Sequence, residues 1–273
     1  MQSLLSMKKQ LKMHVLATGS QGNCTVIQYG DTALLVDAGI SCRRIVHGLR
    51  DLYIDPATLS GVLLTHEHSD HVLGLLQFLK NYEVPFYATR GTWRGIVDKL
   101  YSYQHRWMMM PDKEWMLGDL CVEAFSVSHD AMEPVGFTLH NGRHKASFLT
   151  DTGIATERMI KHIESSHLLV LESNYDEEML KYGPYYPALK QRVAGKLGHL
   201  SNEAAAQVLE VAQLPSGAKV VLAHRSEKNN TIRCIEDTFK GRWKDSSMLL
   251  DPGIAYYHGS PKDCISIKVE EGI

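Results

Sequence analysis

The chain contains one segment that is dense in metal-binding side chains, Thr65-His66-Glu67-His68-Ser69-Asp70-His71. It directly follows an apolar run that ends at Leu64. If that run is a buried strand, His66 and His68 point to the same side by the period-two rule, and the last two ligands enter the first turn of a helix. A single histidine at a strand end is usually an ordinary hydrogen-bonded residue. Burial of this whole group without a cation would leave several polar atoms unsatisfied, so we expect the loop to bind metal, and its geometry can serve two neighbouring ions.

Strand and helix patterns alternate on both sides of this loop. In the first half, strands are predicted over residues 13–17, 24–29, 33–36, 61–64, 85–88, 120–127, 135–140 and 144–150, with helices after Ser41, after His71 and over residues 92–100. The Asn141-Gly142 pair predicts a tight hairpin between the last two strands. In the second half, helices are predicted over residues 154–164, 201–213 and 229–240, and strands over residues 168–171 and 220–223. Periodicity alone supports one compact mixture of α and β structure, and the order of elements fits two facing sheets with helices outside.

Three further polar residues follow apolar strands. His129, Asp151 and His224 each stand directly after such a strand. Each of them alone could be an ordinary polar strand terminus. Because strand ends can converge on the loop described above, these residues extend its ligand set. The complete set is His66, His68, Asp70, His71, His129, Asp151 and His224.

The seven ligands and their order along the chain resemble the metallo-β-lactamase superfamily of binuclear hydrolases. The resemblance implies an α/β fold, the αββα sandwich of two facing mixed sheets with outer helices. It also implies that His66, His68 and His129 hold one metal, that Asp70, His71 and His224 hold the other, and that Asp151 bridges them. Asp37, at the end of an early strand, matches an aspartate that orients ligands without binding metal. The implied cofactors are two divalent ions, zinc first, with manganese or iron as alternatives for an all-nitrogen-and-oxygen site.

Further motifs narrow the resemblance, because the histidine-rich loop does not separate thioesterases, lactonases and phosphodiesterases. Leu149-Thr150-Asp151-Thr152-Gly153 resembles the phosphodiesterase form. The segments Glu172-Ser173-Asn174-Tyr175 and Gly198-His199-Leu200-Ser201 resemble accessory motifs of the tRNase Z and RNase J nucleases. From Met13 onward the chain resembles the WalJ (YycJ) family most closely, through residues 18–23, 183–186, 198–202 and 224–230. This resemblance implies a nuclease-like phosphodiesterase with exonuclease action on DNA.

The expected mechanism is phosphodiester cleavage by a hydroxide that bridges two metals. Such a pair of ions lowers the pKa of the bridging water toward about 7 and clamps the phosphate oxygens. Asp70 is counted among the catalytic residues as a ligand. We expect His199 to donate a proton to the phosphate or the leaving group, with Glu172 orienting it. The alternative is that His199 is a structural residue at the start of the next helix.

Six residues are candidate substrate contacts: Ser201, Ser226, Asn229, Asn230, Lys190 and Arg192. The serines and asparagines could instead cap neighbouring helices. Lys190 and Arg192 lie in the segment Lys181–His199, which carries four basic residues, three tyrosines and no acidic residue. A solvated basic helix face is the alternative interpretation. Because the segment joins two accessory motifs, we expect it to contact a nucleic-acid strand.

Composition limits the classes of partner. The formal net charge of −2 over 273 residues gives no global attraction for nucleic acid, so any such attraction must be local. Five scattered cysteines without a CxxC pair argue against a disulfide framework and a cysteine zinc site. We find no signal-peptide pattern and no membrane span, and we expect a cytoplasmic protein with no membrane partner.

Residues 1–12 are expected to form a disordered extension and residues 13–273 a single domain. The stretch from Asp151 to His224 is too short for a β-CASP insertion. DNA is favoured over RNA as substrate, and homodimerisation is left open. The alternative function is hydrolysis of a small cyclic phosphodiester, thioester or lactone.

Overall fold

Strands and helices alternate along the chain. The computed structural model describes residues 9–100, 102–245 and 254–270. Its strands are β1 (Leu11–Ala17), β2 (Cys24–Tyr29), β3 (Thr32–Val36), β4 (Gly61–Leu63), β5 (Phe86–Ala88), β6 (Arg106–Met108), β7 (Glu114–Leu117), β8 (Leu120–Ser126), β9 (Val135–His140), β10 (Lys145–Leu149), β11 (Leu168–Glu172), β12 (Lys219–Ala223), β13 (Ala255–His258) and β14 (Ile265–Lys268). Its helices are α1 (Cys42–Asp51), α2 (Ser69–Val72), α3 (Leu75–Asn81), α4 (Arg90–Leu100), α5 (Glu157–Ile163), α6 (Glu177–Tyr182), α7 (Pro187–Val193), α8 (Asn202–Val211) and α9 (Ile232–Asp245).

The strands form two mixed sheets of seven strands each. Sheet one has the order β14-β1-β2-β3-β4-β5-β6, and sheet two has the order β13-β12-β11-β10-β9-β8-β7. In sheet one the strands from β14 to β3 are antiparallel and those from β3 to β6 are parallel. In sheet two the strands from β10 to β13 are parallel and those from β7 to β10 are antiparallel. Each sheet therefore has a parallel half whose strands end at one edge, and that edge can hold a site.

Three apolar clusters hold the layers together. The first contains inward-facing residues of both sheets, among them Met13 and Leu63 of sheet one and Phe137 and Val170 of sheet two. The second packs the outer face of sheet one against α1, α3 and α4. The third packs the outer face of sheet two against α5, α8 and α9. This arrangement is the predicted αββα sandwich, in which both faces of each sheet are covered.

The interior strands agree with the sequence patterns. The predicted strands 24–29 and 135–140 have the observed bounds, and most other predicted strands differ by one or two residues. Prediction missed four strands, β6, β7, β13 and β14, and each lies at the edge of a sheet. All three residues of β6 are exposed, so no buried run or alternation marks it in the sequence. Prediction also missed the short helices α6 and α7, which lie between the two accessory motifs.

The N-terminal strand begins earlier than the sequence pattern indicated. Leu11 pairs with Tyr29, and Lys12 pairs with both Gln28 and Lys268. The predicted disordered extension is therefore two residues too long at its C-terminal end. Its residues 1–8 lie outside the described residues.

The five cysteines are all free. Among the described residues, none of the helices has the length and apolar character that crossing a membrane would require.

The packing between the sheets predicts a large loss of stability on truncation of Phe137. This side chain is 1% exposed and lies in the cluster between the sheets. We expect Phe137→Ala to lower the free energy of unfolding by about 3–5 kcal/mol, because the lost contacts leave a cavity. Met116→Ala is the control, since Met116 is 66% exposed on an edge strand. Urea unfolding of both variants at equal metal content is the measurement, and equal midpoints would contradict this account of the core.

Candidate metal centre

The candidate ligands lie where the parallel strands of both sheets end. In sheet two, β10, β11 and β12 are neighbours, and Asp151, Glu172 and His224 stand at or just after their carboxyl ends. In sheet one, β3 is followed by Asp37, and its parallel neighbour β4 is followed by the histidine-rich loop. Because parallel strands end at the same edge, residues distant in sequence are brought together there.

Three histidines form the first cluster. His66, His68 and His129 each offer a ring nitrogen, and these atoms lie within 4.8 Å of one another. Their ring centroids are 4.6–5.0 Å apart. His129 Nδ1 lies 3.1 Å from the carbonyl oxygen of Gly198, to which it can donate, so Nε2 is left to face the cluster.

A second cluster lies beside the first. It consists of Asp70, His71 and His224, whose ligand atoms also lie within 4.8 Å of one another. Asp70 Oδ2 is 3.4 Å from His71 Nε2 and 3.2 Å from His224 Nε2. Asp151 is shared by the clusters. Its Oδ2 lies 3.3 Å from His71 Nε2, and its Oδ1 lies 3.4 Å from His224 Nε2 and 3.8 Å from His129 Nε2.

Asp37 orients His71 from behind. Its Oδ2 lies 2.7 Å from His71 Nδ1, which leaves Nε2 of that ring to face the cluster. Thr65 fixes the aspartate in turn, because its backbone N–H and its hydroxyl both donate to the carboxylate. The residues predicted as ligands and the residue predicted to orient them therefore lie in one place.

Three residues of this site have a left-handed backbone. Asp37, Asp151 and His224 have φ angles of 61°, 54° and 53°. This conformation is uncommon outside glycine, although Asp and His adopt it more readily than most residues. Each such residue costs on the order of 1–3 kcal/mol unless its surroundings impose the conformation. All three follow buried strands, so the sheets hold these side chains in place.

Glu172 and His199 lie next to the two clusters. Glu172 is fully buried, and its Oε1 is 2.7 Å from His199 Nδ1 and 3.2 Å from His224 Nδ1. Its Oε2 accepts hydrogen bonds from the backbone N–H groups of Thr152 and Leu200. The His199 side chain is 20% exposed. The carboxylate thus contacts both a cluster histidine and the histidine at the mouth of the site.

The electrostatics of the two clusters differ. Burial opposes protonation of His71, but Asp37 and Asp151 outweigh it and raise the pKa of His71 well above its ordinary value. Burial likewise opposes protonation of His224, but Asp151, Asp70 and Glu172 raise its pKa to about 10. In the first cluster, burial lowers the pKa of His66, and the neighbouring histidines add to the effect. Burial also lowers the pKa of His129.

The donor set fits divalent cations. His66 Nε2 and Asp151 Oδ2 are buried and have no hydrogen-bond partner among the described residues. Together with His71 these two residues form a further group whose ligand atoms lie within 4.8 Å of one another. Buried polar atoms without a partner are rare and destabilising, and coordination of a cation would satisfy both of them. Imidazole and carboxylate ligands suit zinc, manganese and iron.

Three of the predicted substrate contacts lie inside the protein. Ser201 is 4% exposed and caps α8, since its hydroxyl accepts from Ala204 N and donates to Glu177. Asn230 is 2% exposed and donates to the backbone oxygens of Ser173 and Asn174. Asn229 is fully buried. None of these three side chains lines the cavity that contains His199, so we do not retain them as substrate contacts.

The other three predicted contacts lie at or near the mouth of the site. Ser226 and Arg192 line a cavity of about 150 Å³ together with His199. Lys190 lies farther out on α7, where its ammonium donates to the backbone oxygen of Lys181. The cavity is the opening from which a substrate can approach the clusters.

Sequence reasoning missed four residues that support the site. Asp130 Oδ1 lies 3.6 Å from His129 Nε2, and its Oδ2 accepts from Arg192. Asn23 Nδ2 lies 3.1 Å from His71 Nε2, and Asn174 donates to the backbone oxygen of His224. Glu67 accepts from the backbone N–H of Met132. Asp130 and Glu67 could have been found from the sequence, because each is adjacent to a predicted metal ligand. Asn23 and Asn174 lie in the family motifs at residues 18–23 and 172–175, but the sequence analysis gave these two asparagines no role.

Comparison with known proteins agrees with this geometry. A model of the beta-lactamase superfamily domain matches residues 32–224. Exodeoxyribonuclease YycJ of Bacillus anthracis is 36% identical over 223 residues, which cover 81% of this chain and 84% of that protein. Exodeoxyribonuclease WalJ of Streptococcus pneumoniae is 33% identical, with coverage of 92% of this chain and 94% of that protein.

The chain belongs to the YycJ/WalJ family of the metallo-β-lactamase superfamily. The solved metallo-β-lactamase-fold protein YhfI of Bacillus subtilis superposes with a TM-score of 0.72 at 18% identity, covering 95% of this chain and all of that one. This YycJ/WalJ-family member is a metal-dependent hydrolase, and its fold implies bound divalent ions.

The raised pKa values predict proton release when metal binds. Because the pKa values of His71 and His224 are raised, both rings are doubly protonated and positively charged near neutral pH in the metal-free protein. A metal ligand must be a neutral imidazole, so we expect loading with zinc at pH 7 to release about two protons per chain. The release should decrease as the pH rises through about 10, where His224 loses its proton without metal. The number of protons released is measured by titration calorimetry in buffers of different ionisation enthalpy. If the heat of zinc binding does not depend on the buffer, no protons are released and the prediction is wrong.

Proposed function

We propose that this protein is a binuclear metal-dependent phosphodiesterase that degrades DNA from its ends. One observation carries the proposal: two three-ligand clusters share Asp151 and lie beside the Glu172–His199 pair at the mouth of a small polar cavity. The names of the two exodeoxyribonuclease relatives support a polynucleotide substrate and favour DNA over RNA.

The proposed ligands follow from the two clusters. His66, His68 and His129 would hold one divalent ion, Asp70, His71 and His224 would hold the second, and Asp151 would be shared. Zinc is the first choice, with manganese or iron as alternatives for these nitrogen and oxygen donors. When bound, such a pair of ions lowers the pKa of water toward neutrality and neutralises phosphate charge.

The chain itself must deliver a proton to the leaving oxygen, and His199 is placed to do so. Its Nδ1 is held by the buried carboxylate of Glu172 at 2.7 Å, so Nε2 is the nitrogen that remains for a substrate. The ring lines the cavity and is partly exposed, unlike the cluster histidines His66, His71, His129 and His224. A general acid needs contact with the substrate and a fixed orientation. The hydrogen bond to Glu172 fixes the orientation of the His199 ring.

The small cavity suits the phosphate next to the scissile bond. Ser226 and Tyr185 bring hydroxyl groups to its wall, and Arg192 brings a guanidinium. Arg192 is bound to Asp130 in the structure, with most of its donors still available. A guanidinium can form paired hydrogen bonds with phosphate, so we assign Arg192 a phosphate contact and Lys190 a weaker contact farther from the metals.

Cleavage of end-labelled polynucleotides tests the function directly. We expect the metal-loaded protein to release nucleotides from the ends of DNA faster than from RNA of the same sequence. A chromogenic phosphodiester, a thioester and a lactone are assayed beside them. Turnover of the thioester or lactone without cleavage of either polynucleotide would replace the proposal by a small-molecule hydrolase.

Asp151 provides a test of the shared site. We expect the purified protein to contain two divalent ions, and Asp151→Ala to lose at least one, because this carboxylate touches histidines of both clusters. Asp119→Ala is the matched control, since that exposed carboxylate pairs only with Lys9 among the described residues. Elemental analysis is the measurement, and a metal-free wild-type protein with full activity would overturn the assignment.

His199 provides a test of proton donation. We expect His199→Ala to lower kcat by about 10²–10⁴-fold, the usual size of general acid–base catalysis, without loss of metal. His105→Ala is the control, because His105 is exposed at the opposite end of sheet one. Steady-state kinetics with parallel metal analysis separates the possibilities. Unchanged turnover would leave His199 a purely structural role at the start of α8.

A further inference from the structure

A second cavity, of about 710 Å³, lies outside the metal centre along α1. We name it the α1 groove. Its walls come from α1, from the end of α3 with Tyr82, and from Lys262 and Cys264 before β14. Neither the ligands nor the Glu172–His199 pair line it. The groove is therefore separate from the cavity that contains His199.

The α1 groove is strongly basic. Four exposed cationic side chains line it, Arg43, Arg44, Arg50 and Lys262. Among the described lining residues the only carboxylate is that of Asp51, which lies 3.4 Å from His47. No carboxylate of the described residues forms an ion pair with any of the four cations. In a chain with a formal net charge of −2, this concentration of positive charge is local.

The positions of Arg43 and Arg44 are unfavourable for the helix that carries them. Both lie in the first turn of α1, and that turn contains no acidic residue. The helix macrodipole places partial positive charge at this end, so cations here lower helix stability. Arg43 and Arg44 have no carboxylate partner among the described residues, so their unfavourable position is explained if an external anion binds beside them.

The groove adjoins the mouth of the metal centre. Ser20 lines the cavity that contains His199, and it lies in the loop between β1 and β2. Thr18, in the same loop, donates its backbone N–H to Ser260 and accepts from the backbone N–H of His224. Arg44 donates to the backbone oxygen of Pro261, directly before Lys262. This loop and the turn at residues 260–263 thus connect the cavity wall to the wall of the groove.

Aromatic surface lies at the other end of α1. Tyr53 is 98% exposed just after the helix, and it lines a shallow depression with Arg50 and Tyr82. Exposed aromatic rings beside cations are the combination on which single-stranded bases stack. The ten residues of α1 span about 15 Å, which is the length of several phosphates along one strand.

We propose that the α1 groove binds the single-stranded part of a polynucleotide substrate that extends beyond the metal centre. This inference rests on the proposed function and adds a second surface to it. Arg43, Arg44 and Lys262 contact successive phosphates near the mouth, while Arg50 and Tyr53 hold the strand farther away. The chemistry recognised is a polyanion with stacking bases, and no base sequence is selected.

The test replaces three cations and compares a long with a short substrate. The variant is Arg43→Gln, Arg44→Gln and Lys262→Gln together, and the substrates are a long single-stranded oligodeoxynucleotide and a dinucleotide. We expect the KM for the long substrate to rise about tenfold and the kinetics with the dinucleotide to stay unchanged, because the short substrate cannot reach the groove. Binding of a phosphorothioate oligonucleotide should lose about two units of its logarithmic salt slope, since each single-strand phosphate contact contributes about 0.7.

A matched control removes three exposed cations from the opposite end of the sheets: Arg143→Gln, Lys161→Gln and Lys268→Gln. Arg43→Glu alone is the second variant, because that side chain has no partner among the described residues and its reversal should raise the same KM. An unchanged salt slope, or equal losses in the control, would overturn the proposal. If the wild-type protein cleaves neither substrate, the proposed exonuclease activity fails, and the binding slope still decides the groove separately.

Discussion

The contacts between buried carboxylates and histidines are the constraint on which the rest of the structure depends. Asp37, Asp151 and Glu172 are at most 3% exposed, and each lies against at least one histidine. Burial of an ionised carboxylate is very unfavourable unless cations or hydrogen-bond donors surround it. These contacts therefore require that strand ends from both sheets meet at fixed distances. The two sheets, with three apolar clusters between and outside them, provide that rigidity.

The same carboxylates divide the histidines into two kinds. His71 and His224 are surrounded by carboxylates that raise their pKa values, whereas burial lowers the pKa values of His66 and His129. Cations in the centre would take the place of the additional protons on His71 and His224 and would satisfy the unpartnered atoms His66 Nε2 and Asp151 Oδ2. Folding and metal loading are coupled in such a site, because the ligands oppose one another or stay unsatisfied when no cation is present.

Around this centre, the surface is arranged by charge. Arg192 on α7 lies at the mouth of the cavity, and the cations of the α1 groove lie beyond the loop that contains Ser20. The chain as a whole carries a small net negative charge, so any attraction for a polyanion would have to come from these local patches. In the proposed nuclease, such patches would give affinity that depends on salt, while the metal centre would determine which bond is broken.

The sequence by itself determined the chemistry and the interior of the fold. The segment at residues 65–71 indicated metal ligands because of its composition, and strands such as 24–29 and 135–140 were predictable because buried strands leave a hydrophobic pattern. Edge strands such as β6 could not be predicted in this way, because an exposed strand is stabilised by its neighbour in the sheet and leaves no hydrophobic pattern in the sequence. Tertiary structure alone decided that Asn230 supports buried loops and that Asp130 holds Arg192. Only the tertiary structure shows that the turn at residues 260–263 lies beside α1, because contacts between residues far apart in the chain depend on how the layers pack.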